Sequence, residues 1–425
     1  MTDGYSQELA LFETPIIDHG VLSVDYIEFQ PTAPLNESAA LEFHYSGSSS
    51  DYIDLSKIKL KMKLKITKAD GTAVTDTDNV GFINLPSQTM FSQLDVFMQD
   101  KLITSSTNSH YSYKALLDVM FNTKPEDEHS LLTSQLFYRD SAKNMNGASI
   151  VVEDVTINSG LKMRHGYTNG GGSVDVEGPL YFDMAQQNRL LLNGVALHFK
   201  LWPNRSDFKL MSFGDEKYKL EIVEAKLNMC MVKVDPTIIL AHAATLKDYT
   251  AIYDYTKSHL ISYQIPKNSY QFMQDDIFQS NIPSSLMVCI TSSKAFAGDY
   301  KKNPLSFDHW NVKSVGLYVD GKCQPNSRPI TVDYTNKNFM EGYTSIQRND
   351  GYGLKISRDN YPNGYNFYNF NIDPRYNKSL ASPLRKGLTR IEILFEEPTT
   401  ETLTVIVYAK SPAQIKIDSA RNVIM

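Results

Sequence analysis

From Lys57 to Ile66 the chain alternates strictly. Lys57, Lys59, Lys61, Lys63 and Lys65 take one parity, and Ile58, Leu60, Met62, Leu64 and Ile66 the other. A period of two places the lysines on one face of a β-strand and the aliphatic residues on the opposite, half-buried face. Shorter runs with strand patterning follow at Leu22–Phe29, Met90–Thr104, Val195–Trp202 and Tyr218–Val234. In the second half they recur at Leu286–Thr291, Val312–Val319, Tyr365–Ile372, Thr389–Phe395 and Leu403–Ala409. Leu180–Met184 and Gly353–Ser357 read as strands as well, and Thr245–Ile265 is a tyrosine-rich run between them. Asp70-Gly71 marks a tight turn after the lysine strand. One helix stands out over Tyr111–Phe121, where Leu116, Leu117, Met120 and Phe121 recur at spacings of three and four. Residues 1–20 read as an extended arm. Pro203–Lys217 reads as a polar link, and Tyr218–Val234 as the strand that opens a second half.

The halves repeat one another. Phe91–Lys101 is a strand ending in an Asp-containing turn, and Val312–Lys322 has the same form. Tyr111-Ser112-Tyr113-Lys114 follows the first, and Tyr334-Thr335-Asn336-Lys337 follows the second. Asn193-Gly194 and Lys386-Gly387 each precede an alternating strand. A repeat half a chain long indicates a duplicated domain, whereas solenoid periods are about 20–50 residues. Short strands, irregular loops and few helices imply two antiparallel sandwiches of about eight strands each. The expected organisation is an arm over 1–20, a first domain over 21–211 and a second over 212–425.

Composition narrows the function. The 425 residues contain 42% hydrophobic residues, enough for two packed cores. The net charge of −6 is interspersed, which argues against a dedicated nucleic-acid binder. The lysine face then reads as solvated or partner-facing. Cys230, Cys289 and Cys323 are sparse and odd in number, which fits a reducing compartment. The polar, acidic start does not resemble a secretory signal, and no apolar run reaches the ~20 residues that span a bilayer.

The motifs of common chemistries are missing from the sequence. There is no Gly-x-Ser-x-Gly elbow and no phosphate-binding Gly-x-x-x-x-Gly-Lys-Ser/Thr loop. The nine histidines show no metal-ligand spacing. Asp275-Asp276 and Glu396-Glu397 are adjacent pairs, which point to opposite faces of a strand and suit a two-carboxylate mechanism poorly. Neither an enzyme nor a cofactor is expected.

Three stretches carry a family likeness: Phe91–Phe97, Asn108–Lys114 and His129–Asp140 closely resemble the capsid proteins of Polinton/Maverick elements and adintovirus-like viruses. Lys386–Phe395 resembles the last sheet of the wider double jelly-roll major capsid family, which includes virophages. The matching positions are Phe91, Asp95, Val96, Asp100, Tyr111, Tyr113 and Lys114, then Leu117, Phe137 and Asp140. In the second half they are Asp320, Lys337, Gly387 and Phe395. The resemblance implies an all-β fold of two tandem eight-stranded antiparallel jelly rolls with a few short helices in the loops. It implies a homotrimer whose six rolls form a pseudo-hexagonal tile of an icosahedral shell around double-stranded DNA. The implied partners are other copies of the chain and a minor or penton capsid protein, with contact to packaged DNA or an internal membrane. The excursions over 144–176 and 323–386 would supply the tower and trimer contacts. A vertex or minor capsid component, or a carbohydrate-binding or glycoside-processing sandwich, are the alternatives.

Overall fold

The computed structural model describes residues 19–36, 38–104, 110–147, 150, 157–347, 353–375 and 383–425. Most of the expected arm and parts of both long excursions lie outside these residues.

Sixteen strands build four large antiparallel sheets. In the first half they are β1 (Val21–Phe29), β2 (Leu41–Tyr45), β3 (Asp51–Lys68), β4 (Phe91–Met98), β5 (Lys101–Leu102), β6 (Ser173–Pro179), β7 (Leu197–Pro203) and β8 (Tyr218–Val234). In the second they are β9 (Ala251–Ile265), β10 (Gln271–Gln274), β11 (Ser285–Ser292), β12 (Val312–Val319), β13 (Lys322–Gln324), β14 (Phe367–Asn371), β15 (Thr389–Phe395) and β16 (Leu403–Ile417). The first half orders them β1-β8-β3-β6 and β2-β7-β4-β5. The second orders them β9-β16-β11-β14 and β10-β15-β12-β13. Adding eight to every strand of the first half gives the second. Two four-stranded sheets whose neighbours are distant in sequence are the mark of a jelly roll, and here it occurs twice.

The long strand β3 behaves as its alternation requires. Ile58, Leu60, Met62, Leu64 and Ile66 are buried, and the lysines lie on the other face. That face is ionically mixed, with Lys59 paired to Glu177 at 3.1 Å and Lys226 to Glu28 at 3.4 Å. The repeated turns form tight hairpin tips. Gln99 (φ 51°) and Asp100 join β4 to β5, and Asp320 (φ 49°) and Gly321 (φ 78°) join β12 to β13. Left-handed residues match the twist of the flanking strands in two-residue hairpins.

Several expectations change. Tyr218–Val234 does not open the second half, because β8 lies between β1 and β3 in the first roll's sheet. Pro203–Lys217 is therefore a connection within that roll. The connection between rolls is instead the segment holding α3, within a helix set of α1 (Tyr111–Asn122), α2 (Ser159–His165), α3 (Pro236–Thr245) and α4 (Met340–Ile346). Sequence patterning cannot separate the closing strand of one sandwich from the opening strand of the next, because only the register of pairing differs. Residues 180–182 and 354–357 are irregular, and Asp183–Gln186 forms a 3-10 turn rather than continuing a strand. The short strands β2 and β10 were not evident from the sequence.

Two hydrophobic clusters make up the core, and each draws on both rolls. Leu116, Leu117, Met120 and Phe121 of α1 pack with Leu286, Val288, Phe367 and Tyr408 of the second roll. Conversely, Tyr253, Tyr255, Ile415 and Ile417, at the far ends of β9 and β16, pack with Leu191, Leu192 and Tyr52 of the first. The rolls are thus interlocked through two apolar contacts.

Candidate functional site

The motif positions divide into frame and seam. Phe91, Val96, Leu117, Phe137 and Phe395 are core side chains, each at most 4% exposed. Asp95 ties β4 to β7 locally, accepting from Trp202 Nε1 at 2.8 Å and Gln93 Nε2 at 2.7 Å. Asp100 is exposed at its hairpin tip. In each roll that tip is tied to the entry of the next strand over. Gln99 N–H donates to the Ala196 carbonyl at 2.9 Å, and Asp320 N–H to that of Leu388 at 2.9 Å. A Cβ on Gly387 would stand 2.7 Å from Asp320 Oδ2, so a larger residue there would have to displace the Asp320 carboxylate, which accepts from the Leu388 N–H at 2.9 Å.

The other motif residues converge on the seam. Helix α1 is buried along almost its whole length and carries Lys114 and Asp118 one turn apart. Lys114 Nζ lies 2.7 Å from Asp118 Oδ2 and 3.2 Å from Asp183 Oδ1. From the second roll, Tyr408 donates its hydroxyl to Asp118 Oδ1 at 2.7 Å. Ser258 donates its backbone N–H to Asp183 Oδ2 at 2.9 Å, and its hydroxyl to the same carboxylate. Lys410 Nζ donates to Asn122 Oδ1 at 3.0 Å. Lysine and two aspartates from one roll are thus closed over by three polar side chains of the other. Burial opposes each charge, raising Asp118 and lowering Lys114. The partners win: Lys114 holds Asp118 below the usual carboxylate range, and Asp118 with Asp183 holds Lys114 above the usual ammonium range. Burial dominates at Lys410, which is lowered.

A second ionic knot lies nearby. Arg164 of α2 is fully buried and reaches Asp140 Oδ1 at 2.6 Å, the Phe82 carbonyl at 2.8 Å and the Tyr138 carbonyl at 2.7 Å. Asn303 donates to the other Asp140 oxygen at 3.1 Å, and Tyr365 donates to the Asp140 carbonyl at 2.7 Å. Tyr113 stacks on Phe296 at 5.4 Å and donates to the Pro304 carbonyl at 3.2 Å. Tyr111 accepts from the Tyr181 N–H at 3.2 Å within the first roll. At the opposite end, Arg421 clasps Asn193 through its carbonyl at 2.7 Å and its side chain at 3.0 Å.

Lys337 does not join this seam. It is exposed, with φ 59°, in a turn before α4, so the Tyr-x-x-Lys match to Lys114 is a match of sequence and not of place. Arg164, Asp183, Ser258 and Tyr408 were missed by sequence reasoning. Arg164 lies on the short helix α2, Asp183 in a 3-10 turn and Ser258 and Tyr408 on strands; none carries a motif signal, and only their convergence reveals them. The seam is a mechanical arrangement in which Lys114 and Arg164 meet buried carboxylates and Lys410 meets the Asn122 amide. Among the described residues no group of acids, histidines and cysteines is placed to hold a metal ion. No described helix is long and apolar enough to cross a membrane. The three cysteines are unbridged.

No family model matches the chain. An uncharacterized protein of Caenorhabditis elegans is 22% identical over 411 residues, covering 90% of this chain and 92% of the relative. The likeness in structure is broader. The Sputnik virophage structure solved by electron cryo-microscopy aligns with a TM-score of 0.67 at 12% identity, covering 99% of this chain and 92% of the other. The Faustovirus major capsid protein aligns at 0.62 and 8% identity, covering 96% and 92%. The chain has the double jelly-roll fold of viral major capsid proteins. The mavirus major capsid protein aligns with this double jelly roll at 0.54 and 12% identity, covering 99% and 93%. Coverage near the full length of both partners means that the duplication itself is shared.

Proposed function

We propose that this chain is the major capsid protein of an icosahedral double-stranded DNA virus or virus-like element, without enzymatic activity, and that it acts in the virion by assembly. The observation that carries this reading is the duplicated strand order, with the two rolls joined by buried polar and apolar contacts at the seam. Three chains then present six equivalent sandwiches, which fill a six-fold lattice position although the trimer has only three-fold symmetry. The ionic knots around Lys114 and Asp140 serve this use, because a tile requires the two rolls of each chain to keep one relative orientation. We assign the first roll to 21–234 and the second to 251–417, with the 235–250 segment between them; the pairing of β8 supports this division. The likeness to virophage and Faustovirus proteins supports the capsid role. A minor or penton protein, and DNA or an internal membrane, would be the further contacts of such a shell.

Size-exclusion chromatography with light scattering tests the tile. A stable trimer is expected, and electron microscopy is expected to show hexagonal outlines about three-fold centres. A chain that remains monomeric at micromolar concentration would remove the basis for the proposal.

A further inference from the structure

Strand β16 lays two side chains on helix α1 at matching intervals. Tyr408 and Lys410 are two residues apart, hence on one face of the strand and about 6–7 Å from each other along it. Asp118 and Asn122 are four apart on the helix, about 6 Å along its axis. Tyr408 therefore meets Asp118 Oδ1 at 2.7 Å, and Lys410 Nζ meets Asn122 Oδ1 at 3.0 Å. The Asn122 amide is also fixed from its other end, donating from Nδ2 to Asp118 Oδ1 at 2.8 Å. An amine, a carboxamide and a carboxylate thus stand in one hydrogen-bonded row across the joint between the rolls. Amide exchange needs that set: a nucleophile, an electrophilic carbonyl and a carrier for one proton.

We propose that Lys410 and Asn122 join in an isopeptide bond, a covalent crosslink between the two rolls that the chain forms by itself. Lys410 Nζ, as the neutral amine, adds to Asn122 Cγ, and the carbonyl π pair moves onto Oδ1. When the carbonyl re-forms, the Cγ–Nδ2 bond breaks and ammonia leaves. The proton lost by Nζ passes to the departing Nδ2 through the Asp118 carboxylate, which already holds an Nδ2 hydrogen. Amine plus carboxamide gives secondary amide plus ammonia, so the step needs no oxidant, reductant or cofactor. Several features favour this pair. Burial lowers Lys410 below the ordinary lysine value, the Lys114 charge adds to that, and together they outweigh the opposite pull of Asp118 and Asp183. A desolvated lysine beside a second cation is the usual form of an activated amine. Contact in the folded chain supplies the proximity that a bimolecular reaction lacks. Asn122 is exposed at the rim of the seam, so ammonia escapes to solvent. The closer pair, Lys114 and Asp118, does not compete, because each holds the other charged and an ammonium does not condense with a carboxylate. The inference concerns the joint within one chain and does not rest on the capsid reading.

Peptide mapping of the full-length protein by mass spectrometry tests this. After storage of the folded protein at neutral pH, trypsin is expected to release a branched peptide joining residues 115–139 to 391–416, lighter than its two arms by one ammonia, about 17 Da. Recovery of Lys410 only in the unlinked peptide 391–410 would overturn the proposal. Lys410→Arg keeps a cationic donor without the amine, and is expected to abolish the branched peptide in a protein that still folds. An ammonia loss that maps to an asparagine imide, or that persists in this variant, would also overturn it. Asp118→Asn, read in the folded fraction, is expected to lower the linked share by about tenfold or more at equal age. An unchanged share would overturn Asp118 as the carrier of the proton.

Discussion

The connections that follow the fifth strand of each roll start from a similar sequence and end in different structures. In the first roll, Tyr111–Asn122 is a twelve-residue helix buried against the second roll, and Lys114 sits between two aspartates. In the second, Tyr334 is half-buried, Thr335–Lys337 is an exposed turn, and the helix that follows spans only Met340–Ile346. The sheets around both connections keep the same strand order. Duplication therefore preserved the pairing frame and released the insertions. The first-roll insertion brings a charged helix to the joint between the copies, and the second-roll one meets it there with backbone and apolar groups, Leu354 N–H donating to the Met120 carbonyl at 2.8 Å. This follows from what each must satisfy: a strand's backbone bonds tie it to two neighbours at once, whereas a loop needs only to connect its ends.

The sharpest way to break this contrast is to remove each lysine. Lys114→Met leaves Asp118 and Asp183 buried without their cation, and is expected to cost about 3–5 kcal/mol in denaturant unfolding. Lys337→Met is expected to stay within about 0.5 kcal/mol, as for exposed positions generally. Equal effects would mean that the seam is no more than a surface pair. Next in size, Tyr408→Phe removes a hydrogen bond to the charged Asp118 and is expected to cost about 1.5–3 kcal/mol. Tyr334→Phe, which loses neutral bonds to Tyr368 at 2.7 Å and Asn366 at 2.6 Å, should cost about 1 kcal/mol.

The pH dependence sharpens the comparison further. Asp118 is held below its ordinary value of 3.8, so it binds fewer protons in the folded than in the unfolded chain near that pH. Its stabilising contribution is complete above that value and fades as pH falls through the lowered one. Lys114, held above its ordinary value, contributes throughout the neutral range and loses its effect only in strong alkali. Unfolding midpoints measured from pH 7 to pH 2 should therefore fall at the acid end. Asp118→Asn should flatten part of that fall, whereas Lys337→Met should leave the profile's shape unchanged. The hairpin ties give a further contrast of small size. Gly387→Ala pushes against the Asp320 carboxylate and should destabilise measurably, whereas Gly321→Ala meets open space and pays only for its left-handed backbone, roughly 1 kcal/mol. Thermal unfolding of the pair would check that order.

Much of the frame was legible because its signals are local. Alternation gave β3 and its buried face, the repeated Asp turns gave the two hairpins, and spacing gave α1. Lys114, Asp140, Asp320 and Gly387 were singled out by resemblance, though their roles were not. Legibility failed where the deciding partner is distant. β8 was assigned to the wrong roll because its alternation is the same whichever sheet it joins. β2 and β10 span only five and four residues, too few for a period to show. Arg164 stands in a run, Lys162-Met163-Arg164-His165, that reads as a solvated loop, yet it is the largest fully buried side chain described.

The sequence by itself determined that the chain is all-β, duplicated and built around half-buried strands, because those properties are periodicities within a few residues of one another. Tertiary structure alone decided where one roll ends, that helix α1 packs on the neighbouring roll, and that Lys114, Asp183 and Tyr408 meet. Those outcomes depend on which surfaces exclude water together. Burying a charge is favourable only where a partner from elsewhere in the chain arrives to meet it.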